Sequence, residues 1–576
     1  MSFSKSTIQS ILLWALAFLS IFLIFSNVDG DLSVLRRHGD YGDEGYWIQN
    51  AFNKVKHGLF LTDDQAQGYF GAPLFTFLLT GFVKIFGATL YYARLFSILV
   101  TLLSACLLWL LLKKTIKNTV YSSLLVVLFL SLPETKLYGA WCSPITLEWL
   151  FSIVYLYWVV NHPLINFKNI FVAAIIILLN ILSKSTSIYL IGVFVFQMVF
   201  DFAVLKQKSK KTILIYVIIS AVLLYISYTL IQMVLKSNYP IEHSQFKQLI
   251  KWNLNFKKGF IDLFSETLNP LFWTTNIIGI LKYTSGLLIL MIFVWSIKSG
   301  LSKINYRFKE FKSLQYWANH RHFAVFALLF FTYWFFLLII GQTGFDRRVV
   351  AQIPILFFGV GLALRNIEDS WYSTKRWKIF GAIITIIIFC NQAIDMFNSG
   401  SIFHMPLFAF AVLSAIGFGI FVISSKPTYA IFYIVLVNCM STHIFRSKTH
   451  QLSELSTQLS NFKSKYNVKY IVGYHSHHLA SNNNIIPIWY QKKLVNWNQK
   501  FPLFGKDYST LVVASLNDPE KSTKDEVFLT IKDLDKNTII LDSMDIQYQR
   551  MLMFNQSSKK TKFENEKLRF YVVRSR

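Results

Sequence analysis

Apolar runs of about 20 residues, separated by short polar gaps, recur along the first three-quarters of the chain, the length a hydrocarbon core demands. The first runs from about Ile8 to Phe25 behind Lys5. No small-residue cleavage site follows, so it reads as an uncleaved membrane helix and not a removed leader. Further spans fall near 91–112, 120–137, 144–160, 170–183, 187–205, 212–235, 275–297, 323–341, 349–364, 379–396, 404–423 and 429–444. The total is about 13 crossings. The pair 170–183 and 187–205 reads as two short helices around the polar break Ser183-Lys184-Ser185-Thr186.

Two apolar patterns between the first and second spans are too short to cross. Over 43–56, Trp47, Ile48, Ala51, Phe52 and Val55 fall on one helical face. Gln49, Asn50, Asn53 and Lys54 fall on the other, and Gly58 is the stop. This predicts an amphipathic helix lying in the membrane interface, capped by Asp43 or a neighbour. From Pro73 to Phe86, closed by Gly87, a helix reaches only about 21 Å, so it is a second interfacial or re-entrant piece. Beyond residue 444 the pattern turns polar, with strand-like runs at 468–473, 510–515, 537–541 and 568–573. The expected organisation is a membrane domain over 1–444, with a first outer loop at about 27–90, and a small mixed α/β domain over 445–576.

Composition adds direction to this pattern. The formal charge of +27 fits nucleic-acid binding in principle, but most Lys and Arg fall in alternate short gaps between spans, the positive-inside signature. Nucleic acid is therefore excluded as a partner. With the N-terminus inside, the gaps holding Lys113–Lys117, Lys206–Lys211 and Lys298–Lys312 are cytoplasmic. An odd number of spans then places the first loop and the C-terminal tail together on the opposite face. Cys106, Cys142, Cys390 and Cys439 form no CxxC pair, so neither a disulfide framework nor a zinc site is expected.

The candidate chemistry gathers on that outer face. Gly39-Asp40-Tyr41-Gly42-Asp43-Glu44-Gly45-Tyr46-Trp47 is the densest acidic cluster in the first quarter of the chain. Carboxylates at a membrane surface are costly unless solvated, paired or in use. Asp43 and Glu44 read as the catalytic centre, with Asp40, Tyr46 and Glu148 positioning substrate. Lys184, Arg347 and Arg348 are the basic counterpart, placed to bind a phosphate. One carboxylate deprotonates an acceptor hydroxyl or amine while the basic groups hold a phosphate leaving group. A polyprenyl phosphate presents a sugar at this depth. Structural readings stand beside these. Asp43-Glu44 also fits a helix N-terminus favoured by the dipole, and Glu148 a solvated helix end. Lys184, Arg347 and Arg348 also fit headgroup contacts, and Arg94 a topology anchor. His38, Asp40 and Asp43 are weak candidates for a divalent cation, Mg²⁺ or Mn²⁺; no cofactor is required.

These motifs, in this order, resemble a known family. Asp43-Glu44-x-Tyr46, Ala72-Pro73-Leu74, the Phe-Gly ending at Gly87 and Ala93-Arg94-Leu95-Phe96-Ser97 are similar to the opening of the GT-C fold glycosyltransferases. The nearest branch holds the protein O-mannosyltransferases (dolichyl-phosphate-mannose-protein mannosyltransferases) and the lipid A aminoarabinose transferases. Leu182-Ser183-Lys184-Ser185 resembles that branch's Leu-Thr-Lys-Gly segment, and Arg347-Arg348 with Ile353-Pro354 its late Arg-Tyr and proline region. Gly71-Ala72 stands where the aminoarabinose transferases carry Glu-Lys, so one phosphate-contacting lysine is missing.

The resemblance implies an α-helical polytopic membrane protein of GT-C fold. It also implies inverting transfer of one sugar from a polyprenyl-phosphate donor to a lipid, glycan or protein acceptor, with Asp43 as base and Glu44 as its partner. The expected location is the bacterial inner membrane, with the active site and C-terminal domain extracytoplasmic and membrane lipids as surroundings. The alternatives from other classes are a flippase or transporter of a lipid-linked saccharide, and an O-antigen-type polymerase or ligase.

Overall fold

The computed structural model describes residues 5–25, 43–58, 71–116, 118–205, 321–339, 349–364, 451–473, 483–488, 506–515, 538–550 and 564–575, with isolated positions between them. The predicted spans at 275–297, 379–396 and 404–423 lie outside the described residues, as do more than half of 212–235 and most of 429–444. Labels below run over described elements only.

Helix α1 (Lys5–Phe25) is followed by α2 (Asp43–His57), α3 (Pro73–Phe86), α4 (Leu90–Ile116), α5 (Thr119–Ser131), α6 (Pro133–Ala140), α7 (Ile145–Asn161) and α8 (Phe167–Ser183). A 3₁₀ turn, Ser185–Ile188, leads into α9 (Tyr189–Leu205). Then come α10 (Arg321–Ile339), a second 3₁₀ turn (Val349–Gln352) and α11 (Ile353–Leu364). Leu90–Ile116 and Ser185–Val204 are each long and apolar enough to cross a bilayer unaided. The outward faces carry large apolar side chains such as Trp14, Phe18, Phe167 and Phe331, as lipid contact requires. The inward faces of α1, α4, α5 and α7 to α11 share one continuous core.

Local sequence explains most boundaries. Asn118 caps α5, accepting from the amides of Val120 at 3.0 Å and Tyr121 at 3.3 Å. Asn166 caps α8 in the same way through the Asn169 amide at 2.9 Å. Pro133 corrects the predicted 120–137 span. It breaks the run into α5 and α6, because proline has no N–H to continue the ladder and restricts Leu132 before it. The span predicted from 349 likewise begins as a 3₁₀ turn and becomes α-helical only at Ile353. Ser183-Lys184-Ser185-Thr186 breaks the chain where expected, with Lys184 in extended conformation between α8 and the 3₁₀ turn. Gly361 lets α11 press on α4; a Cβ there would lie 2.6 Å from Leu112 Cδ2.

The two short pieces of the first loop pack on each other and on α4. Ile48, Ala51 and Phe52 of α2, Phe75, Leu79 and Val83 of α3, and Ala93 and Phe96 of α4 form a separate core with Cys142 and Leu147. Pro73 opens α3, and Gly87 ends it at φ +119°, a conformation open to glycine. Gln49, Asn50 and Asn53, on the polar face of α2, are buried. Only Lys54 of that face is exposed, so protein covers most of both faces of α2.

The C-terminal elements are α12 (Gln451–Tyr466) and five strands, β1 (Val468–Gly473), β2 (Ile486–Ile488), β3 (Ser509–Ser515), β4 (Thr538–Arg550) and β5 (Glu564–Ser575). They form one mixed sheet in the order β2-β1-β3-β5-β4, with β1 parallel to β2 and β3, and β5 antiparallel to β3 and β4. Alternate residues of β1, β3 and β5, among them Ile471, Leu511, Val513, Phe570 and Val572, pack with Leu459 of α12 into its core. Strand β2 had no sequence signal, being three residues around Pro487.

This sheet region touches the first loop. Lys56 at the end of α2 donates to the carbonyls of Ala480 and Asn483, at 3.4 and 3.2 Å. Burial and the neighbouring Lys463 lower its pKa to about 8. The folded state therefore releases this proton before the unfolded chain does. Between about pH 8 and the ordinary value of 10.5 the unfolded chain holds more protons, and stability rises with pH across that window. We expect the melting temperature of the wild type to gain on that of Lys56→Met as pH increases from 8 to 10. Parallel melting curves for the two proteins would refute the coupling.

Candidate functional site

Two buried ion pairs lie next to the α2–α3–α4 core. In the first, Glu44 in the opening turn of α2 meets Arg94 in the first turns of α4. Arg94 Nε donates to Glu44 Oε1 and Nη2 to Oε2, both at 2.8 Å, a bidentate fork in which both side chains are fully buried. Arg94 Nη1 also donates to the Val28 carbonyl after α1, at 2.7 Å. The Cys142 amide, between α6 and α7, donates to Glu44 Oε1 at 3.0 Å. Four chain segments far apart in sequence are thus tied together at one carboxylate.

Both Glu44 oxygens are held, one by the guanidinium and the Cys142 amide and the other by the guanidinium alone, and this fixes the start of α2. Arg94, read from sequence as a topology anchor, is the partner that holds it. Asp43 is the first residue of α2 and immediately precedes this fixed point.

In the second pair, Glu148 in the first turn of α7 accepts from Lys184 Nζ at 2.9 Å and, through its other oxygen, from Ser187 Oγ at 3.0 Å. Glu148 is buried, so it is not a solvated helix end, while the Lys184 side chain keeps 16% of its surface exposed. The extended backbone at Lys184 sets this up. The break after α8 turns the ammonium across to α7, and the 3₁₀ turn places Ser187 on the same carboxylate. Gly71, just before α3, lies beside this break; a Cβ there would sit 3.8 Å from Ser185 Oγ. Leu147, adjacent to Glu148, belongs to the apolar core built on α2, α3 and α4. The first loop and the Lys184–Glu148 pair are therefore packed at the same end of the helices.

Sequence reasoning missed a third pair. Arg321 at the start of α10 grips Asp201 near the end of α9, Nε to Oδ1 at 2.7 Å and Nη2 to Oδ2 at 2.8 Å. Gln197 Nε2 and the Leu164 amide complete the Asp201 shell, at 2.9 and 2.8 Å. This pair lies at the other end of α7 to α9, away from Glu148 and Lys184. A lone aspartate in the apolar run Val199-Phe200-Asp201-Phe202 was the available signal, because an ionisable group in a span requires a partner.

His38, Asp40, Arg347 and Arg348 lie outside the described residues. Asp43 and Tyr46 are placed as residues of α2. Among the described residues no group of three or more His, Cys, Asp or Glu side chains is arranged to hold a metal ion.

Residues 71–231 match the family model described as dolichyl-phosphate-mannose-protein mannosyltransferase. Among solved structures, the chain is similar to ArnT from Cupriavidus metallidurans bound to undecaprenyl phosphate. The identity is 12%, 99% of this chain and 98% of that one are covered, and the TM-score is 0.54. The apo state of the same protein matches at 13% identity with the same coverage and TM-score. The Archaeoglobus fulgidus oligosaccharyltransferase, in complex with zinc and sulfate, aligns over 89% of this chain and 68% of its own at 12% identity and a TM-score of 0.44. No curated protein matches by sequence.

Proposed function

We propose that this chain, whose residues 71–231 match the dolichyl-phosphate-mannose-protein mannosyltransferase model and whose fold is similar to that of ArnT, is a multi-pass membrane glycosyltransferase that transfers one sugar from a polyprenyl-phosphate donor, with inversion, on the extracytoplasmic face. The acceptor is a hydroxyl or amine of an envelope lipid, glycan or protein. Asp43 takes the acceptor proton. The acceptor atom attacks the anomeric carbon, the bond from that carbon to the phosphate oxygen breaks, and polyprenyl phosphate leaves carrying the electron pair. Lys184, with Arg347 or Arg348, holds the phosphate and balances the charge it gains. Glu148 aims Lys184, and Asp40 and Tyr46 position substrate around Asp43.

The observation that carries this reading is the Lys184–Glu148 pair at the broken α8–α9 junction, packed beside the loop that bears Asp43. An ammonium has three N–H donors. Glu148 accepts one and the side chain keeps an exposed edge, so donors remain for a phosphate at the membrane boundary. The contact of Lys56 with Ala480 and Asn483 supports a common face for the first loop and the C-terminal sheet. The undecaprenyl phosphate bound by the structurally similar ArnT supports a polyprenyl carrier. A family segment of transferases leaves the saccharide-flippase alternative without support.

The test is turnover in detergent, with no sealed compartment. Purified protein incubated with extracted polyprenyl-phosphate sugars and envelope acceptors should consume a donor, release polyprenyl phosphate and add one sugar mass to an acceptor. Folded protein that consumes no donor from any extract would refute the proposal.

A further inference from the structure

One helical turn inward from the Glu148–Lys184 pair lies a layer of polar side chains with unused hydrogen-bonding capacity. Ser152 is four residues beyond Glu148 on α7, about 6 Å along the axis. Its hydroxyl accepts from Asn180 Nδ2 of α8 at 3.2 Å, but the Asn180 side-chain oxygen has no partner. Tyr189, at the start of α9, lies beside Ser152 and Gln352 and within electrostatic reach of Glu148. Gln352 ends the second 3₁₀ turn, which is held against α7 by Trp149 Nε1 donating to the Val350 carbonyl at 2.8 Å. Gln352 is fully buried, and its only polar neighbour among the described residues is the Tyr189 hydroxyl, so its amide nitrogen and oxygen are not both satisfied.

Buried polar atoms without partners are costly, and a helix bundle that needed only packing would carry leucine or methionine here. The arrangement is balanced by a polar occupant, and its chemistry selects the kind. The layer offers a donor, the Gln352 amide, and two acceptors, the Gln352 and Asn180 oxygens. A phosphate would face those acceptors and the Glu148 carboxylate. A cation would find no carboxylate oxygen that is not already engaged. Sugar hydroxyls, each both donor and acceptor, satisfy all three atoms. The layer also lies about one helical turn inward of Glu148, the carboxylate that holds the lysine proposed to bind the phosphate.

Building on the polyprenyl-phosphate donor reading above, we propose that Gln352, assisted by Asn180, binds hydroxyl groups of the donor sugar and sets which sugar is accepted.

The test uses the full chain in detergent, Gln352→Met as an apolar replacement of similar length, and thermal unfolding with three probes: undecaprenyl phosphate, undecaprenyl-phosphate mannose and undecaprenyl-phosphate glucose. The wild type is expected to be stabilised more by one of the glycosylated lipids than by the sugar-free one. Gln352→Met should keep the sugar-free shift, lose the increment due to the sugar, and bind that donor about tenfold more weakly, as loss of one neutral hydrogen bond predicts. Its melting temperature without lipid should change little, since Tyr189 is the polar neighbour beside the atoms removed. An unchanged sugar increment in the variant, or none in the wild type, overturns the proposal. Failure of all three lipids, undecaprenyl phosphate included, to bind wild type overturns the donor reading itself and is thereby told apart.

Discussion

Asp43→Asn is expected to lower sugar transfer by about 10²- to 10⁴-fold, the usual contribution of a positioned general base, while the protein remains folded in the membrane. Asparagine is close to isosteric and accepts a hydrogen bond, but it cannot take a proton at neutral pH. The argument for Asp43 rests on its neighbour as much as on itself. Glu44 is held by Arg94 and the Cys142 amide, so the backbone at the head of α2 is fixed. Asp43, one residue earlier, is rotated about 100° around the helix axis from that anchored position. The measurement is single-turnover transfer by wild type and variant, followed by mass spectrometry, with donor binding measured in parallel. Full activity in Asp43→Asn moves the base elsewhere; Asp40 would be next, because Glu148 is engaged by Lys184 and Ser187.

The second large effect concerns stability. Glu44→Ala or Arg94→Ala leaves a buried charge unpaired, and breaking such a pair costs about 3–5 kcal/mol. Arg94→Ala also strips the Val28 carbonyl of its donor, and Glu44→Ala strips the Cys142 amide of its acceptor. Each single variant should melt well below wild type and lose transfer activity with its fold. The double variant Glu44→Leu/Arg94→Met removes both charges together and should recover part of the lost stability without recovering activity. Melting curves of the four proteins in one detergent decide this. If the single variants melt with the wild type, the pair contributes nothing to holding α2. The contrast with Asp43→Asn separates the two acids, because one substitution removes activity from a stable protein and the other removes stability first.

Much of the architecture was legible before any coordinates. The apolar runs that fall on described residues, the break at Ser183-Lys184-Ser185-Thr186, and the strand-like runs at 468–473, 510–515 and 568–573 depend on local composition, and these appear where their residues stand. The shortness of Pro73–Phe86 likewise marked it as a piece that does not cross. Errors arose where a local pattern had two solutions. The run 120–137 is apolar throughout, yet Pro133 divides it. The polar face of α2 reads as solvent-facing by periodicity, although protein covers Gln49, Asn50 and Asn53. Periodicity reports that two faces of a helix differ, and says nothing about what covers the polar one.

The candidate site divides in the same way. Asp43, Glu44, Glu148 and Lys184 could be picked out from the sequence because charge in an apolar chain is conspicuous. Their pairing could not. Glu44 and Arg94 are 50 residues apart, Glu148 and Lys184 36, Asp201 and Arg321 120. No local rule selects such partners. Composition and periodicity were enough to indicate a polytopic membrane protein and the approximate positions of its described helices, because burial in lipid and backbone hydrogen bonding act residue by residue. Which base meets each buried acid came from the packing of α2, α4, α7, α8, α9 and α10, because a charge in low dielectric is defined by what the folded chain places around it.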